Sequence, residues 1–334
     1  MSKFDKIFNL LQISQYLNGH PRARVINVLK FCRAHNILRS ADAVYNALQY
    51  MEQNRIIMNP RIFLKNCPDH RNVHCIVKTE DVDAFMDLIV KENRDAIEAV
   101  YQSRHGKENA IYVKSTQLLF LRDFEVVEEI EWESHNIIFP WKWNGSETFL
   151  SELPNTKPEE SPPPQENLTA NPDFEITEDI RTLLYWLKVN VRLRDVFIMK
   201  ETGFDHRKIR KLRDTILANS VVYFQTFMHE FHNYVSLYFS FFTDHCRFLM
   251  EFFSRNSANS FLIRGTNRRA FLFVNTTTPD WVLHAMEHFE KIGIAKDMLF
   301  YYLQRRWDPI IEDFILGKIP EKYFWMFGVP RKKK

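Results

Sequence analysis

The stretch that most clearly indicates the fold is Gly203-Phe-Asp-His-Arg-Lys-Ile-Arg-Lys-Leu-Arg213. Gly203 is typical of a helix end, and Asp205 is an N-cap residue at the start of a strongly basic helix. A helix that follows a tight turn in this way indicates a helix-turn-helix, whose second helix enters the major groove of DNA. The side chains predicted to contact DNA on this helix are His206, Arg207, Lys208, Arg210, Lys211 and Arg213.

A less basic copy of the same pattern lies in the first half of the chain. It runs from a predicted cap at Ser40 through a helical stretch to Arg55-Ile-Ile57, where a strand begins. Asn and Gln side chains can read adenine, and Arg can bind guanine or phosphate. The side chains predicted to contact DNA in this copy are Arg22, Arg24, Arg39, Asp42, Tyr45, Asn46 and Gln49.

Length and composition indicate a globular protein of more than one domain. The chain has 334 residues, of which 45% are hydrophobic and 26% charged, so each domain can bury a core. The net charge of +3 is too small to identify a partner by itself. The four cysteines show no disulfide framework, and the sequence shows neither a signal peptide nor an apolar run of about 20 residues. These features predict a cytoplasmic, nucleoid-associated protein without a membrane partner.

A Pro-rich segment divides the chain nearly in half. Pro154, Pro158 and the run Pro162-Pro-Pro164 cannot lie inside a helix or a central strand, so this segment reads as an extended linker. The predicted domains are a winged helix-turn-helix (1–68), a βαββαβ domain (69–150), the linker (151–175), a second winged helix-turn-helix (176–230) and a second βαββαβ domain (231–330).

The two halves are therefore interpreted as a duplication. The matched turns Gly106-Lys-Glu-Asn-Ala-Ile-Tyr-Val113 and Gly265-Thr-Asn-Arg-Arg-Ala-Phe-Leu-Phe-Val274 support this interpretation. The predicted fold class is α+β, with two tandem units that each join a winged helix-turn-helix to a ferredoxin-like βαββαβ domain. Phenylalanines at alternate positions in the second βαββαβ domain predict core or interface strands.

This order of elements resembles the leucine-responsive regulatory protein/AsnC family of prokaryotic regulators. The resemblance is clearest over 176–217 and over 40–57. It implies DNA binding through the third helix of each module and pairing of the βαββαβ (RAM-type) domains into a shared sheet. A tandem chain could form this pair within itself, as a pseudo-dimer, or as a homodimer or larger oligomer. The family's usual acidic residue after the central glycine is replaced by Asn109 and Arg268, so an effector, if one binds, stays unidentified.

Three other interpretations remain open at this stage. Cys67, His70, His74 and Cys75 are four potential zinc ligands within nine residues, although the adjacent His74 and Cys75 would point to opposite faces of a strand. His229, His232 and Tyr234 resemble residues of siroheme decarboxylases, enzymes that share this fold and process tetrapyrroles. The βαββαβ sheets could also stack single-stranded nucleic acid or act as an interaction scaffold.

The sequence thus predicts a sequence-specific regulator of transcription, archaeal or bacterial, that binds double-stranded DNA. It predicts no catalytic residue, no metal ligand and no cofactor, and hence that the protein is not an enzyme. The alternative is a tetrapyrrole-processing enzyme similar to the siroheme decarboxylases.

Overall fold

The computed structural model describes residues 3–79, 81–93, 96–105, 108–116, 125–138, 153–154, 158–160, 168–227, 233–254 and 260–327. The helices are α1 (Lys3–Gly19), α2 (Val25–Ala34), α3 (Ala41–Gln53), α4 (Val82–Asn93), α5 (Glu178–Val189), α6 (Asp195–Thr202), α7 (His206–Ala218), α8 (Cys246–Ser254), α9 (Pro279–Lys291) and α10 (Pro309–Ile315). The strands are β1 (Arg61–Leu64), β2 (Val73–Lys78), β3 (Ile97–His105), β4 (Glu108–Ser115), β5 (Glu125–Ile138), β6 (Ser220–Tyr223), β7 (Val235–Phe242), β8 (Ser260–Gly265), β9 (Arg269–Thr276) and β10 (Lys296–Trp307).

Residue contacts divide the chain into two compact units. Unit 1 consists of Met1–Lys65, Ala170–Asn233 and Asp313–Lys334. Unit 2 consists of Asn66–Thr169 and Tyr234–Glu312. Each unit therefore combines corresponding parts of both sequence copies, and the domain boundaries drawn from the sequence remain predictions.

Unit 1 contains both three-helix modules, and local capping explains where their helices begin. The side chains of Ser40, Thr177 and Asp205 accept hydrogen bonds from backbone N–H groups in the first turns of α3, α5 and α7. Gly203 ends α6 with a φ of 72°, a left-handed conformation that favours glycine. The predicted turn between α6 and α7 is confirmed.

The two modules pair directly within unit 1. Strand β1, which follows the first module, pairs antiparallel with β6, which follows the second. Arg192 donates hydrogen bonds to the carbonyl oxygens of Pro21 (2.9 Å) and Ala23 (2.6 Å). A side chain from the α5–α6 turn thereby satisfies backbone acceptors in the α1–α2 turn, and the pairing links residues far apart in sequence.

Residues 319–327 bind to both modules of unit 1. The Asn190 amide donates to the carbonyl oxygen of Tyr323 at 2.9 Å, and the Tyr323 hydroxyl donates to Glu201 at 2.6 Å. The Glu52 carboxylate, at the end of α3, accepts hydrogen bonds from the backbone N–H groups of Met326 and Phe327. This segment therefore connects the last turn of α3 to the second module.

Glu52 is expected to make the stability of unit 1 depend on pH. Burial raises its pKa from 4.5 to about 7, against the opposing effects of its two backbone hydrogen bonds and Arg192. Because the folded-state pKa is the higher one, this group's contribution to stability is complete below pH 4.5 and is lost as the pH rises to 7. We expect Glu52→Gln to remove that loss, so that from pH 5 to pH 8 the variant gains about 1–3 kcal/mol of unfolding free energy relative to the parent protein.

Chemical unfolding at both pH values measures this difference. Asp42→Asn is the matched control because Asp42 is an exposed acidic residue on the same helix. It should keep the parent's pH dependence. An unchanged pH dependence in Glu52→Gln would contradict the role assigned to this carboxyl group.

Unit 2 is built around an eight-stranded sheet that closes on itself, in the order β10-β3-β4-β2-β5-β8-β9-β7. Strand β5 pairs with β2 and then continues to pair with β8, while β10 pairs with β7 and then with β3. These two long strands join the sheets of the two sequence copies. The predicted sharing of a sheet between the two copies therefore takes place within this chain.

The predicted α+β class, with winged helix-turn-helix and ferredoxin-like parts, is confirmed. The second copy shows the complete order β7-α8-β8-β9-α9-β10. In the first copy, residues 106–107 of the matched turn lie outside the described residues. The described residues of the Pro-rich segment before Ala170 belong to unit 2, where His245 and His288 donate hydrogen bonds to the carbonyl oxygens of Glu159 and Pro154.

None of the described helices combines the length and the apolar character that crossing a lipid bilayer would require.

Candidate functional site

The strands of unit 2 present alternate side chains to the two faces of the closed sheet. On β7, Leu237, Phe239 and Phe241 belong to a cluster that also contains residues of α8 and α9. Tyr238 and Ser240 therefore point the opposite way, into the interior of the closed sheet. The interior contains several ionisable side chains as well as aromatic ones.

His74 lies among aromatic rings in this interior and is 1% exposed. The indole Nε1–H of Trp132 donates to His74 Nδ1 at 2.9 Å. The imidazole ring also makes edge contacts with Phe271, Phe273 and Tyr238, at centroid distances of 4.7, 6.1 and 6.4 Å. Because Nδ1 accepts a hydrogen bond, the neutral ring carries its proton on Nε2 and presents a donor there.

His74 and His135 are both held in the neutral form. Burial lowers the pKa of His74 well below its usual value, and the charge of Lys114 adds to this effect. Burial likewise lowers the pKa of His135 to about 3. His135 stacks on Trp132 and on Phe261, with centroid distances of 5.5 and 5.2 Å.

Lys114 brings a positive charge close to these histidines. Its Nζ atom lies 2.6 Å from a carboxylate oxygen of Glu98 and 4.7 Å from the centre of the Trp132 ring. The Lys114 and Glu98 side chains are 18% and 10% exposed. Water therefore screens this pair less than it would screen a surface pair.

A second group of polar side chains consists of Glu128, Ser240 and Arg269, which we call the interior triad. The Nε atom of Arg269 lies 2.5 Å from a Glu128 carboxylate oxygen and donates to the Ser240 hydroxyl at 2.6 Å. The Ser240 hydroxyl in turn donates to Glu128 at 2.7 Å. Burial raises the pKa of Glu128, against the opposing effects of Ser240 and Arg269.

These groups have the properties required for binding and protonating an anion. Arg269 can bind a carboxylate, Glu128 is a carboxyl group with a raised pKa, and His74 is a neutral hydrogen-bond donor. Burying ions costs several kcal/mol per ion, and an apolar pair of similar volume often stabilises a protein as well or better. Perturbed ionisable groups that are buried together are therefore candidates for function.

Sequence reasoning missed this interior site. Of the residues in this site, the sequence had drawn attention only to His74, as one possible zinc ligand. In the structure His74 accepts a hydrogen bond from Trp132 inside the sheet, whereas Cys75 packs in the hydrophobic cluster on the opposite face. Among the described residues, no three His, Cys, Asp or Glu side chains are arranged to hold a metal ion. The signal that could have found the site is the placement of Arg269, Tyr238 and Ser240 at inward positions of apolar strands.

The predicted DNA-contacting residues of α7 divide into two sets. Arg213 is 2% exposed and pairs with Asp195, which also pairs with His206 at 3.0 Å. Lys208 pairs with Asp179 at 2.8 Å. Arg213, His206 and Lys208 are therefore paired within unit 1, whereas the basic side chains left exposed on one helix face are Arg207, Arg210 and Lys211.

The predicted residues of the first module are less basic and mostly exposed. Gln49 donates to the Tyr45 hydroxyl at 2.9 Å, so these two contact each other. The remaining members are exposed, namely Arg22, Arg24, Arg39, Asp42 and Asn46. His229 and His232 lie outside the described residues, and Tyr234 is half-buried.

Comparisons with known proteins give fold similarity only. No family model matches the chain, and no curated protein matches it in sequence. A crystal structure of the siroheme decarboxylase NirDL is similar, with 8% identity and a TM-score of 0.46, and the alignment covers 90% of this chain and 91% of that chain. The same enzyme in complex with an iron-uroporphyrin III analogue gives 9% identity and a TM-score of 0.37, over 95% of this chain and 100% of that chain.

These findings correct one prediction made from the sequence. NirDL has the AsnC/Lrp-like fold with winged-helix and ferredoxin-like parts, and it is an enzyme. The prediction that this chain is not an enzyme is contradicted by that finding. At 8% and 9% identity, the similarity concerns the fold and assigns no activity.

Proposed function

We propose that the protein is an enzyme that binds a carboxylate-bearing tetrapyrrole inside unit 2 and removes CO2 from one of its carboxylates. The observation that carries this proposal is the interior triad, a buried arginine, glutamate and serine that face the same sheet interior as two neutral histidines. The class of substrate follows from the alternative that the sequence around His229 left open.

Arg269 and the aromatic side chains have separate parts in this proposal. Arg269 binds a carboxylate that does not react, because a guanidinium group matches the geometry of a carboxylate. The macrocycle lies against the rings of Phe271, Phe273 and Trp132, and these rings move apart to admit it. The reacting carboxylate lies on this aromatic surface, where the loss of its charge as neutral CO2 is favoured.

Glu128 supplies the proton that completes the reaction. The bond between the carboxylate carbon and the adjacent carbon breaks, CO2 leaves, and the electron pair stays on the adjacent carbon. That carbon takes one proton, so a carboxymethyl group becomes a methyl group without an oxidant or a reductant. A ligand carboxylate that binds Arg269 removes the partner of Glu128, which favours the protonated carboxyl group.

The test combines binding and product analysis. Iron-uroporphyrin III is added to the protein, and its absorption band should shift and saturate. Siroheme is then incubated with the protein, and mass spectrometry should show products lighter by the mass of CO2. Glu128→Gln should keep the band shift and slow product formation by about 100-fold or more.

Glu131→Gln is the matched control, since Glu131 lies on the same strand and pairs with the exposed Arg71. It should react at the parent's rate. An unchanged absorption band, or siroheme recovered intact from the parent protein, would exclude the proposed function.

Binding of double-stranded DNA through α7 is a second candidate function. It is supported by Arg207, Arg210 and Lys211, which form one exposed basic face. Selection from a random duplex library near physiological salt should enrich a motif that Arg207→Ala/Arg210→Ala fails to enrich. Binding without a motif, weakening steadily as salt rises, would indicate phosphate attraction alone.

A further inference from the structure

The closed sheet of unit 2 is internally symmetric in its strand register. His74 pairs with Lys114 and Ile130, and Tyr238 pairs in the same way with Phe273 and Tyr301. The irregularities also correspond. One shift of register occurs early in β5 and early in β10, and a second occurs where each strand passes to its other partner.

This register identifies the counterpart of each member of the interior triad. Ser240 pairs with Leu299, as Ile76 pairs with Glu128. Ile76 is therefore the counterpart of Ser240, and Leu299 is the counterpart of Glu128. Arg269 pairs with Phe242, as Ala110 pairs with Lys78, so that Ala110 is the counterpart of Arg269.

The two equivalent positions have different chemistry. One has glutamate, serine and arginine, whereas the other has leucine, isoleucine and alanine. Lys78, the strand partner of Ala110 at the second position, has a side chain that is 39% exposed and lies 3.8 Å from the 72% exposed Glu125. His74 and Lys114 likewise correspond to Tyr238 and Phe273, so these polar residues also have aromatic counterparts.

We infer that the duplicated sheet holds a single carboxylate-binding centre, formed by Arg269, Ser240 and Glu128, and therefore binds one tetrapyrrole per chain. This inference rests on the proposed function. The three residues at the equivalent position, Leu299, Ile76 and Ala110, cannot replace it, because their own side chains carry no cation or hydroxyl group for a buried carboxylate. The symmetry of the strand register alone would allow two carboxylate-binding centres. Only one of the two equivalent positions has the residue types to form such a centre.

The experiment measures stoichiometry and affinity by calorimetric titration of the full chain with iron-uroporphyrin III. The parent protein should bind one equivalent. The variant Glu128→Leu/Ser240→Ile/Arg269→Met gives the triad the apolar character of its counterpart, with methionine to fill space that alanine would leave empty. It should bind at least about 100-fold more weakly, as expected when a buried charge partner is removed from a binding site.

A matched control alters the counterpart position. Ile76→Val/Leu299→Met should keep the stoichiometry and stay within about threefold of the parent's affinity, since both changes conserve apolar character. Circular dichroism of each variant shows that the closed sheet has formed. This measurement is needed because a misfolded triad variant would also fail to bind.

The outcomes separate this inference from the proposed function. Two equivalents bound per chain would overturn the single centre and leave the proposed function standing. One equivalent bound with unchanged affinity in the folded triad variant would overturn the assignment to Arg269, Ser240 and Glu128. An absence of binding to the parent protein would overturn the proposed function, and this inference with it.

Discussion

Replacing Arg269 alone with methionine is expected to lower the unfolding free energy of unit 2 by about 3–5 kcal/mol. The Glu128 side chain is 9% exposed, and its charge is compensated by the Arg269 guanidinium group. Without arginine, Glu128 keeps one hydrogen bond from Ser240 but must either stay ionised in an apolar interior or take up a proton. Chemical unfolding followed by tryptophan fluorescence measures the loss, and hydrogen exchange of β7 and β9 assigns it to unit 2.

The double variant Arg269→Met/Glu128→Leu provides the control for this prediction. It removes both charges, so that no buried ion is left without a partner, and we expect its stability to match or exceed the parent's. If the single variant lost less than about 1 kcal/mol, a value typical of exposed ion pairs, the pair would not be a buried one.

Replacing Asp195 with alanine is expected to lower the unfolding free energy of unit 1 by about 3–5 kcal/mol. Arg213 has a side chain that is 3% exposed, and Asp195 is the carboxylate that pairs with it. The same substitution also removes the partner of His206. Thermal and chemical unfolding of the variant measure the effect.

Arg207→Ala is the matched control on the same helix. Arg207 is exposed, so its removal should change the unfolding free energy by less than about 0.5 kcal/mol. If Asp195→Ala were as stable as Arg207→Ala, Arg213 would not depend on this ion pair.

Local signals in the sequence were sufficient to predict the elements of the fold. Ser40 and Asp205 cap their helices as expected, and Gly203 adopts the left-handed conformation that ends α6. Each signal acts within a few residues of the chain, so it can be read without knowledge of the tertiary structure. The order of strands and helices in the second copy was predictable for the same reason.

The crossed pairing of strands was not predictable from local patterns. Strand β1 pairs with β6, and β5 continues from β2 to β8. These contacts join residues far apart in sequence, and alternation within a strand does not say which strand lies beside it. Alternation likewise places Tyr238 and Ser240 on one face of β7 without showing that this face is the interior of a closed sheet.

The basic helix shows why a charge run is an incomplete guide to a binding surface. Arg213 and Lys208 belong to the run, yet each pairs with an aspartate from another helix of unit 1. The spacing of charges indicated which residues share the helix but not which acidic side chains would pack against them. The prediction that the protein is not an enzyme was wrong for a related reason, because a fold does not determine the chemistry of the sites built on it.

The most direct test of the central claim is a crystal structure of the protein grown with iron-uroporphyrin III. The proposal predicts one macrocycle inside the closed sheet of unit 2, with a carboxylate hydrogen-bonded to Arg269 and the rings of Phe271 and Phe273 moved against it. A macrocycle bound elsewhere, with Arg269 still paired to Glu128 and His74 still enclosed by its aromatic neighbours, would contradict the proposal.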